Sequence, residues 1–533
     1  MKEIESYIED NKELFLEDLF SLLRIKSVST DSAYNQDVEN CALFLKKHLQ
    51  QIGLKDTEII ETQGHPIVYS SFIVSKDLPT ILLYGHYDVQ PADPYELWDS
   101  DPFEPVLKND YIISRGVSDD KGQFFAHIKA IETFLAVTKT LPVNIKIIIE
   151  GEEEIGSKNL KAFLNDYKRN LSADVAVISD TPMLSKSQPA ICFSLRGMVY
   201  AEIKLKGPNR DLHSGQYGGI VQNPIQALSK IIAGLKNEDD KVTIPGFYDD
   251  VSSASAEELL SLSKLPIDNN AYLEDLGISE FVMDSIDIPT QLWMQPTLDC
   301  NGIVGGYIHE GAKTIIPSEA SAKISMRLVA NQDPQKILEQ FTTYLDSLKP
   351  KGVELEIIVH NLARPAKMNT SSGFVKAASM AYESTFNARP LLVGEGGTIP
   401  VVADFKEVLG IDTVMMGFNC PDDCIHSPNE RLLLDSFYTI YGNGGGVNVH
   451  NHISEIDEDP IINLSSKKYS LVYYLSVGDQ DCTQPGILKL FDPEEDVLPS
   501  EGMIIIFPAD RYHSAAYNGS KDRIIIGINF FVM

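Results

Sequence analysis

Three apolar segments of this chain, PTILLYG, VNIKIII and ADVAVIS, are each followed directly by histidine or carboxylate residues. Short, nearly continuous apolar runs are typical of strands in a sheet that is covered on both faces, and the helical patterns between them are typical of crossover connections. In open α/β sheets, ligands bind beyond the carboxyl ends of the strands. The pattern therefore predicts an α/β domain with a polar site at that edge of its sheet.

The pattern changes twice along the chain. Between residues 195 and 361, MVYAEIKLKG and ASAKISMRLV alternate like half-buried strands, NPIQALSKIIAGLK has helical spacing, and the segment 237–290 is acidic and rich in loops. The first pattern returns after residue 362, and from residue 437 short strands follow one another without helices. We expect an α/β domain (1–194 and 362–436), an inserted α+β domain (195–361) and an all-β module (437–533).

The charge and the cysteines exclude several classes of protein. With 45 basic and 76 acidic residues, the formal charge is −31, whereas nucleic acids and anionic membranes are bound through Lys and Arg. We therefore expect neither as a partner. Six scattered cysteines are too few for a disulfide scaffold, and the sequence shows no signal-peptide pattern and no apolar run long enough to span a bilayer. These features predict a soluble, cytoplasmic protein.

The polar residues after the apolar runs, and in a turn before a predicted helix, are of the kinds that bind divalent metals. They are His86, Asp88, Asp119, Asp120, Glu153, Glu154 and Asp180. Each alone could be a helix cap, a turn, a solvated acidic loop or a core histidine. Together they favour more than one metal ion, because converging carboxylates repel one another without cations. Two metals about 3.5–4 Å apart can hold a hydrolytic water and a substrate oxygen together.

Seven motifs occur in order over residues 10–435: GHYDVQPAD, SRGVSDDKGQ, EGEEEIGS, VISD, RDLHSGQYGG, GEGGTIP and DDCIHSPNE. They closely resemble the dinuclear zinc peptidases that include cytosolic non-specific dipeptidase and carnosinase, with aminoacylases and desuccinylases as more distant relatives. The long insert with IPGFYDDV resembles the dipeptidase branch more than the relatives with short lids. The resemblance implies a dinuclear-metallopeptidase catalytic domain interrupted by a lid and dimerisation domain.

The resemblance also implies a role for each candidate metal ligand. His86 and Asp180 would hold one metal, Glu154 and His426 the other, and Asp119 would bridge the two. The ions would be Zn²⁺, with Mn²⁺ as an alternative that suits the same ligands.

Two further carboxylates would serve the reaction itself. Glu153 would be the general base that deprotonates the metal-bridged water and then the acid that protonates the leaving amine. Asp88 would orient His86 through its second ring nitrogen, as carboxylates behind a metal ligand commonly do.

The resemblance assigns substrate recognition partly to the inserted domain. His213 would reach into the site of a partner subunit and stabilise the oxyanion, which implies a homodimer. Arg327 would bind the terminal carboxylate of the substrate, with Gly396, Gly397 and Thr398 beside it. The structural alternatives are an arginine paired on a sheet surface and glycines that only form a turn.

The segment CPDDCIH, which holds Cys420, Cys424 and His426, resembles a zinc knuckle. Its cysteine spacing is not that of structural zinc ribbons and no second cysteine pair follows, so we expect free thiols.

The C-terminal module resembles the jelly-roll core of Fe(II)/2-oxoglutarate oxygenases in NVHNH, GMIIIFPADRYHS and DRIIIGINF. That resemblance makes His450 and His513 candidate iron ligands and Arg523 the candidate partner of 2-oxoglutarate. A second histidine stands where the family has its carboxylate ligand, so Glu455 or Asp457 would supply it, or none does. The module is then a working oxygenase, an inactive metal-binding module or a structural appendage.

The sequence therefore predicts a homodimeric enzyme that hydrolyses dipeptides or short peptides with a free C-terminal carboxylate. The alternatives are an N-acyl-amino-acid amidohydrolase and a bifunctional protein with oxygenase activity that depends on Fe²⁺ and 2-oxoglutarate. A non-catalytic dimeric binding protein is disfavoured, because a scaffold has no physical need for so many converging carboxylates.

Overall fold

The computed structural model describes residues 2–283, 287–397 and 399–438, together with the strands between residues 468 and 531. The chain divides into two units, Met1–Gly442 and Asn443–Met533. None of the described helices is long and apolar enough to cross a membrane.

The first part of the larger unit alternates helices and strands, as the apolar runs predict. Its elements are α1 (Lys2–Leu23), α2 (Asn35–Gln51), β1 (Asp56–Ile60), β2 (Ile67–Phe72), β3 (Thr80–His86), β4 (Val106–Lys108), β5 (Tyr111–Ile113), α3 (Lys121–Thr138), β6 (Asn144–Glu150), α4 (Leu160–Asp166), β7 (Val175–Ile178) and β8 (Ala190–Leu195). A short 3₁₀ helix, Glu153–Ile155, follows β6.

The inserted segment carries the next set of elements. They are β9 (Gly197–Lys206), β10 (Leu212–His213), α5 (Ser214–Tyr217), α6 (Pro224–Ala233), α7 (Ala256–Ser263), α8 (Asn269–Leu276), α9 (Ile288–Met294), β11 (Thr297–Gly305), β12 (Ile315–Ile316), β13 (Glu319–Leu328), α10 (Pro334–Leu348) and β14 (Glu354–Ala363). Both ends of helix α6 have residues that favour a helix terminus. The Asn223 side chain accepts a hydrogen bond from Ile225 N–H, Pro224 is the first residue of the helix and Gly234 follows its last residue.

After the inserted segment, the chain returns to the large sheet and forms the last elements of the larger unit. The elements are β15 (Ala366–Lys367), α11 (Gly373–Phe386), β16 (Leu391–Glu395), α12 (Pro400–Asp404), β17 (Asp412–Met415), β18 (Arg431–Leu433) and α13 (Leu434–Tyr438).

The large sheet has nine strands in the order β1-β2-β6-β3-β7-β17-β8-β15, with β16 also paired to β8. Its centre is parallel: β3 pairs with β6 on one side and β7 on the other, and β17 pairs with β7. Apolar residues of α1, α2 and α3 cover one face, and those of α4, α11 and α12 cover the other. The predicted α/β fold is therefore confirmed, and the carboxyl ends of β6, β3 and β7 lie side by side.

The inserted segment forms a second, four-stranded sheet in the order β11-β13-β9-β14, antiparallel throughout. Residues from α6 and α10 form an apolar core with one face of this sheet. Strand β11 is an edge strand, with Ile303 57% and Val304 65% exposed.

The acidic stretch 237–290 contains more helix than its composition suggests. Helix α7 begins with a capping box in which Ser255 and Glu258 satisfy each other's backbone N–H groups. Leu262 of α7 and Met294 of α9 pack into the core of the large sheet, although both lie in the segment predicted for the inserted domain. These helices form because the apolar side chains they carry are buried against the large sheet.

The smaller unit contains strands β19 (Lys468–Ser476), β20 (Pro485–Leu490), β21 (Glu495–Val497), β22 (Ile504–Pro508), β23 (His513–Tyr517) and β24 (Ile524–Phe531). They form two antiparallel three-stranded sheets, in the orders β22-β19-β24 and β21-β20-β23. The jelly-roll assignment of this module stays a prediction.

Candidate metal centre

The candidate ligands come from the adjacent ends of the parallel strands. His86 is the last residue of β3 and is paired in register with Glu150, the last residue of β6. Glu154 lies in the 3₁₀ helix that follows β6, and Asp180 follows β7. The remaining two come from loops, Asp119 before α3 and His426 before β18. The fold therefore brings together side chains from five separate segments.

These side chains form two clusters that share one carboxylate. In the first, the ligand atoms of His86, Asp119 and Asp180 all lie within 4.8 Å of one another, and the same holds for Asp119, Glu154 and His426 in the second. Each oxygen of Asp119 faces one cluster: Oδ1 lies 3.0 Å from His86 Nε2, and Oδ2 lies 2.9 Å from His426 Nε2. The structure thus brings together the side chains that the resemblance assigns to each metal, and their role as ligands stays a prediction.

The charges of the clusters fit two divalent cations. Burial and the neighbouring Asp119 raise the pKa of Asp180 well above its usual value. The hydrogen bonds to Asp119 and Glu154 raise the pKa of His426 to about 10, so the imidazole takes up positive charge among the carboxylates. Glu154 Oε1 is buried and has no hydrogen-bond partner among the described residues. A carboxylate–imidazole set with a buried, unpartnered oxygen suits metal ions such as Zn²⁺.

Glu153 precedes Glu154 in the same 3₁₀ helix but belongs to neither cluster. Burial raises the pKa of Glu153 to about 7; the charge of His86 opposes this rise, whereas the charges of Glu154 and Asp119 add to it. A carboxylate with a pKa near neutrality can both accept and return a proton. The adjacent glutamates therefore differ in environment.

Asp88 is fully buried and contacts both sides of the site. Its carboxylate accepts hydrogen bonds from the backbone N–H groups of Glu153 at 3.2 Å and Glu154 at 3.1 Å, and from the Ser29 hydroxyl at 2.7 Å. His86 Nδ1 lies 3.1 Å from the main-chain oxygen of Asp88 and 3.4 Å from its carboxylate. Asp88 therefore holds the turn that carries Glu153. It also contacts the imidazole of His86, the ring that the sequence analysis expects it to orient.

Glu430 holds the loop that carries Asp119, and the sequence alone did not predict this role. Its buried carboxylate accepts hydrogen bonds from the backbone N–H groups of Gly116 at 3.0 Å, Ser118 at 2.9 Å and Asp119 at 3.1 Å. It also pairs with Arg115 Nη1 at 2.7 Å. Glu430 ends the DDCIHSPNE motif four residues after His426, and that position is the signal that could have identified it.

The residues assigned to substrate recognition lie outside the two clusters. His213 is exposed on β10, where its Nδ1 accepts a hydrogen bond from Gly215 N–H at 3.1 Å. Arg327 is half-buried on β13, and Gly396 and Gly397 follow β16. Thr398 lies outside the described residues.

The cysteines of the described chain are free: Cys41, Cys192, Cys300, Cys420 and Cys424. Burial raises the pKa of Cys420 to about 12, which disfavours the thiolate that binds zinc. Cys420 clusters with Asp422 and Asp423 and not with His426, so the structure does not support a zinc knuckle.

The candidate residues of the C-terminal module are not placed. His450, Glu455, Asp457 and Arg523 lie outside the described residues, and His513 begins β23, of which only the backbone is described. The iron and 2-oxoglutarate assignments therefore stay predictions.

The chain is similar in sequence and in fold to known peptidases. The family model "Peptidase family M20/M25/M40" matches residues 82–443, so the match ends where the smaller unit begins. The chain is 29% identical to human Beta-Ala-His dipeptidase over 450 residues, covering 81% of this chain and 89% of that protein. It is 31% identical to the Cys-Gly metallodipeptidase DUG1 of Candida albicans over 456 residues, covering 81% and 93%. A metallo-carboxypeptidase from Sulfolobus solfataricus, Sso-CP2, superimposes with a TM-score of 0.71 at 34% identity, covering 80% of this chain and 96% of that one.

Proposed function

Because this chain belongs to peptidase family M20/M25/M40, we propose that it is a dinuclear metal hydrolase that cleaves dipeptides or short peptides with a free C-terminal carboxylate. The observation that carries the proposal is Asp119, which is shared by two ligand clusters beside a base-like Glu153. The relatives named Beta-Ala-His dipeptidase and Cys-Gly metallodipeptidase, which align over most of the chain, support the choice of dipeptides.

One metal would be held by His86, Asp119 and Asp180, and the other by Asp119, Glu154 and His426. We propose Zn²⁺ for both, with Mn²⁺ as the alternative. When bound, the two ions would supply Lewis-acid chemistry, lowering the pKa of a water and polarising the scissile carbonyl.

The chain itself would move the proton. Glu153 takes a proton from the attacking water and gives it to the leaving amine nitrogen as the C–N bond breaks. Asp88 holds the Glu153 backbone and the His86 ring, so that the base and the ligand keep a fixed spacing.

Substrate recognition would use Arg327 for the terminal carboxylate, with the Gly396–Gly397 turn and Thr398 beside it. An arginine guanidinium can bind a carboxylate through two parallel hydrogen bonds, which gives geometric specificity as well as affinity. Specificity for that group would disfavour peptide amides, which lack the carboxylate, and longer peptides that cannot place one there.

The active protein would be a homodimer formed through the inserted domain. Strand β11 is an edge strand with exposed Ile303 and Val304, and Ile308 beyond it is 77% exposed. An exposed apolar edge strand favours pairing with another chain. His213, exposed and outside its own chain's clusters, would then serve the partner's site, where it stabilises the oxyanion.

The first experiment is metal analysis combined with substrate competition. We expect two Zn or Mn ions per chain and hydrolysis of dipeptides. Preference for N-acetyl amino acids over dipeptides would instead establish the amidohydrolase alternative, and no turnover with either Zn²⁺ or Mn²⁺ added would refute the proposal.

The dimer can be tested by complementation between two inactive variants. His213→Ala and Glu153→Gln homodimers should each be inactive. A co-expressed mixture should regain on the order of a quarter of wild-type activity, because mixed dimers contain one site with both residues intact. A monomer in solution, or a mixture that stays inactive, would contradict the shared site.

A further inference from the structure

Arg196 joins the two sheets of the larger unit and is 7% exposed. It is the single residue between β8 of the large sheet and β9 of the inserted sheet. Its guanidinium Nη2 donates hydrogen bonds to the main-chain oxygens of Gln291 at 3.0 Å and Gln295 at 2.7 Å, in α9 and directly after it. Its backbone N–H donates to the Gly397 oxygen at 3.2 Å. One residue therefore contacts both α9 and the glycine turn.

These contacts lie on both sides of Arg327. On β13, Arg327 is paired in register with Met198 of β9, two residues after Arg196. On its other side, Arg327 is paired with Thr297 of β11, two residues after Gln295. The side chain and the backbone of Arg196 thus fix both strand neighbours of Arg327.

The backbone around Arg196 has little room to adjust. A Cβ atom at Gly197 would lie 2.6 Å from the Ala363 oxygen and from Pro365. These two residues lie where the chain passes from β14 of the inserted sheet back to β15 of the large sheet, the second crossing segment between the sheets. Gly394, three residues before Gly397, lies against the Trp293 side chain of α9, and a Cβ there would also clash. Close approach at both glycines keeps α9, β16 and the crossing segments in one arrangement.

The positive charge of Arg327 also acts on Arg196. Burial lowers the pKa of Arg196 to about 10, and the charge of Arg327 contributes in the same direction, whereas Asp299 opposes it. Like charges brought near each other are unfavourable, and Asp299 and a bound substrate carboxylate would both offset that cost. The locus adjoins the Gly396–Gly397 turn, where the proposed function places a carboxylate.

We propose that Arg196 is a positioning residue for recognition of the substrate's C-terminal carboxylate. It holds the strand of Arg327 and the Gly396–Gly397 turn in a fixed relation, and so determines how strongly the enzyme prefers a free carboxylate. The inference rests on the proposed function, because it assumes that this locus receives the substrate carboxylate.

The test compares Arg196→Met with Arg364→Met. Arg364 is the control, because it lies between β14 and β15, the second connection between the two sheets, and its ion pair in the described part of the chain is with Asp333 of the inserted domain at 2.8 Å and not with a candidate site residue. Each variant is assayed with a dipeptide, with the same dipeptide as a C-terminal amide, and for inhibition by the free C-terminal amino acid. Metal content and apparent Tm show whether each variant is folded.

For Arg196→Met we expect KM for the free dipeptide and the inhibition constant of the amino acid to rise about tenfold. The value of kcat, the metal content and activity on the amide should change by less than about twofold. Arg196→Lys, whose ammonium is one bond closer to the backbone than Nη2 and lacks the rigid guanidinium plane, should fall between, and Arg364→Met should match the wild type.

Two results would overturn the inference: Arg196→Met and Arg364→Met behaving alike, or Arg196→Met losing kcat on both substrates to the same extent. If Arg196→Met does not fold, the Arg196→Lys measurement decides, since an unchanged KM there contradicts the proposal. Failure of the wild type to hydrolyse any dipeptide would instead refute the proposed function, independently of Arg196.

Discussion

Glu430 accepts a hydrogen bond from the backbone N–H of Asp119 at 3.1 Å, although 311 residues separate the two in the chain. The same carboxylate is paired with Arg115, and both side chains are almost completely buried. The proposed bridging ligand is therefore held by a buried ion pair that belongs to neither ligand cluster.

Glu430→Gln should lower stability and metal affinity together. The amide cannot neutralise Arg115, and leaving a buried charge unpaired typically costs about 3–5 kcal/mol. Asp422→Asn is the control: it breaks the Arg431–Asp422 pair but leaves Arg431 over the Tyr111 ring, and such surface pairs contribute about 0–1 kcal/mol. Thermal unfolding with and without added Zn²⁺ measures both. Equal Tm values for the two variants would contradict the role given to Glu430.

Asp88→Asn should reduce kcat by about 10–100-fold, the usual effect of losing a partner behind a metal ligand. The amide weakens the hydrogen bonds to the backbone of Glu153 and Glu154 and the contact with His86. Ser29→Ala removes one donor to Asp88 and leaves the charge, so its effect should be smaller. Steady-state kinetics at saturating metal compare the two, and a larger loss for Ser29→Ala would speak against this assignment.

Glu153→Gln and Glu154→Gln should separate the two functions of the adjacent glutamates. We expect Glu153→Gln to keep both metals and lose at least about 10²-fold in kcat, as for a missing general base. Glu154→Gln should lose metal from the second cluster. Metal analysis and kinetics on the same samples test both, and retained activity in Glu153→Gln would falsify the proton-transfer role.

His48 should make the protein less stable in mild acid. Burial and the nearby Lys129 lower the pKa of His48 to about 4, and Lys129 Nζ lies 3.2 Å from His48 Nε2. In the unfolded chain, His48 has the ordinary histidine pKa of 6.5 and binds a proton below that pH. In the folded chain, the same side chain stays neutral until the pH falls to about 4. Stability from this group is therefore lost as pH falls through that window, by about 2 kcal/mol between pH 7 and pH 5.

The control for this pH effect is His48→Gln, which can still accept from Lys129 but does not titrate. Its apparent Tm should fall less than that of the wild type between pH 7 and pH 5. Parallel pH curves for the two proteins would show that His48 does not titrate as described.

The sequence predicted the central part of the fold well because local pattern and burial agree there. The apolar runs correspond to β3, β6 and β7, and the candidate ligands that follow them lie close together. Helix α7 was missed because acidic composition obscured it, although Ser255 and Glu258 have the spacing of a capping box.

The contributions of Glu430 and Arg196 could not be predicted in the same way. Glu430 acts through backbone N–H groups, and Arg196 through the main-chain oxygens of a helix far away in sequence. Such contacts depend on which segments the fold places side by side, so the motif can point to Glu430 but residue type and spacing do not identify the groups that either side chain contacts.

The split of the large sheet by the inserted segment sets an order of events during synthesis. His86, Asp119, Glu154 and Asp180 leave the ribosome before the inserted sheet, whereas His426 and Glu430 follow it. Domains fold as they emerge, from the N-terminus onward. The inserted sheet is continuous in sequence from β9 to β14, so it can fold before the metal centre is complete. A nascent chain that ends before residue 426 would therefore be metal-poor and inactive, and the peptidase site forms only once nearly the whole larger unit has been made.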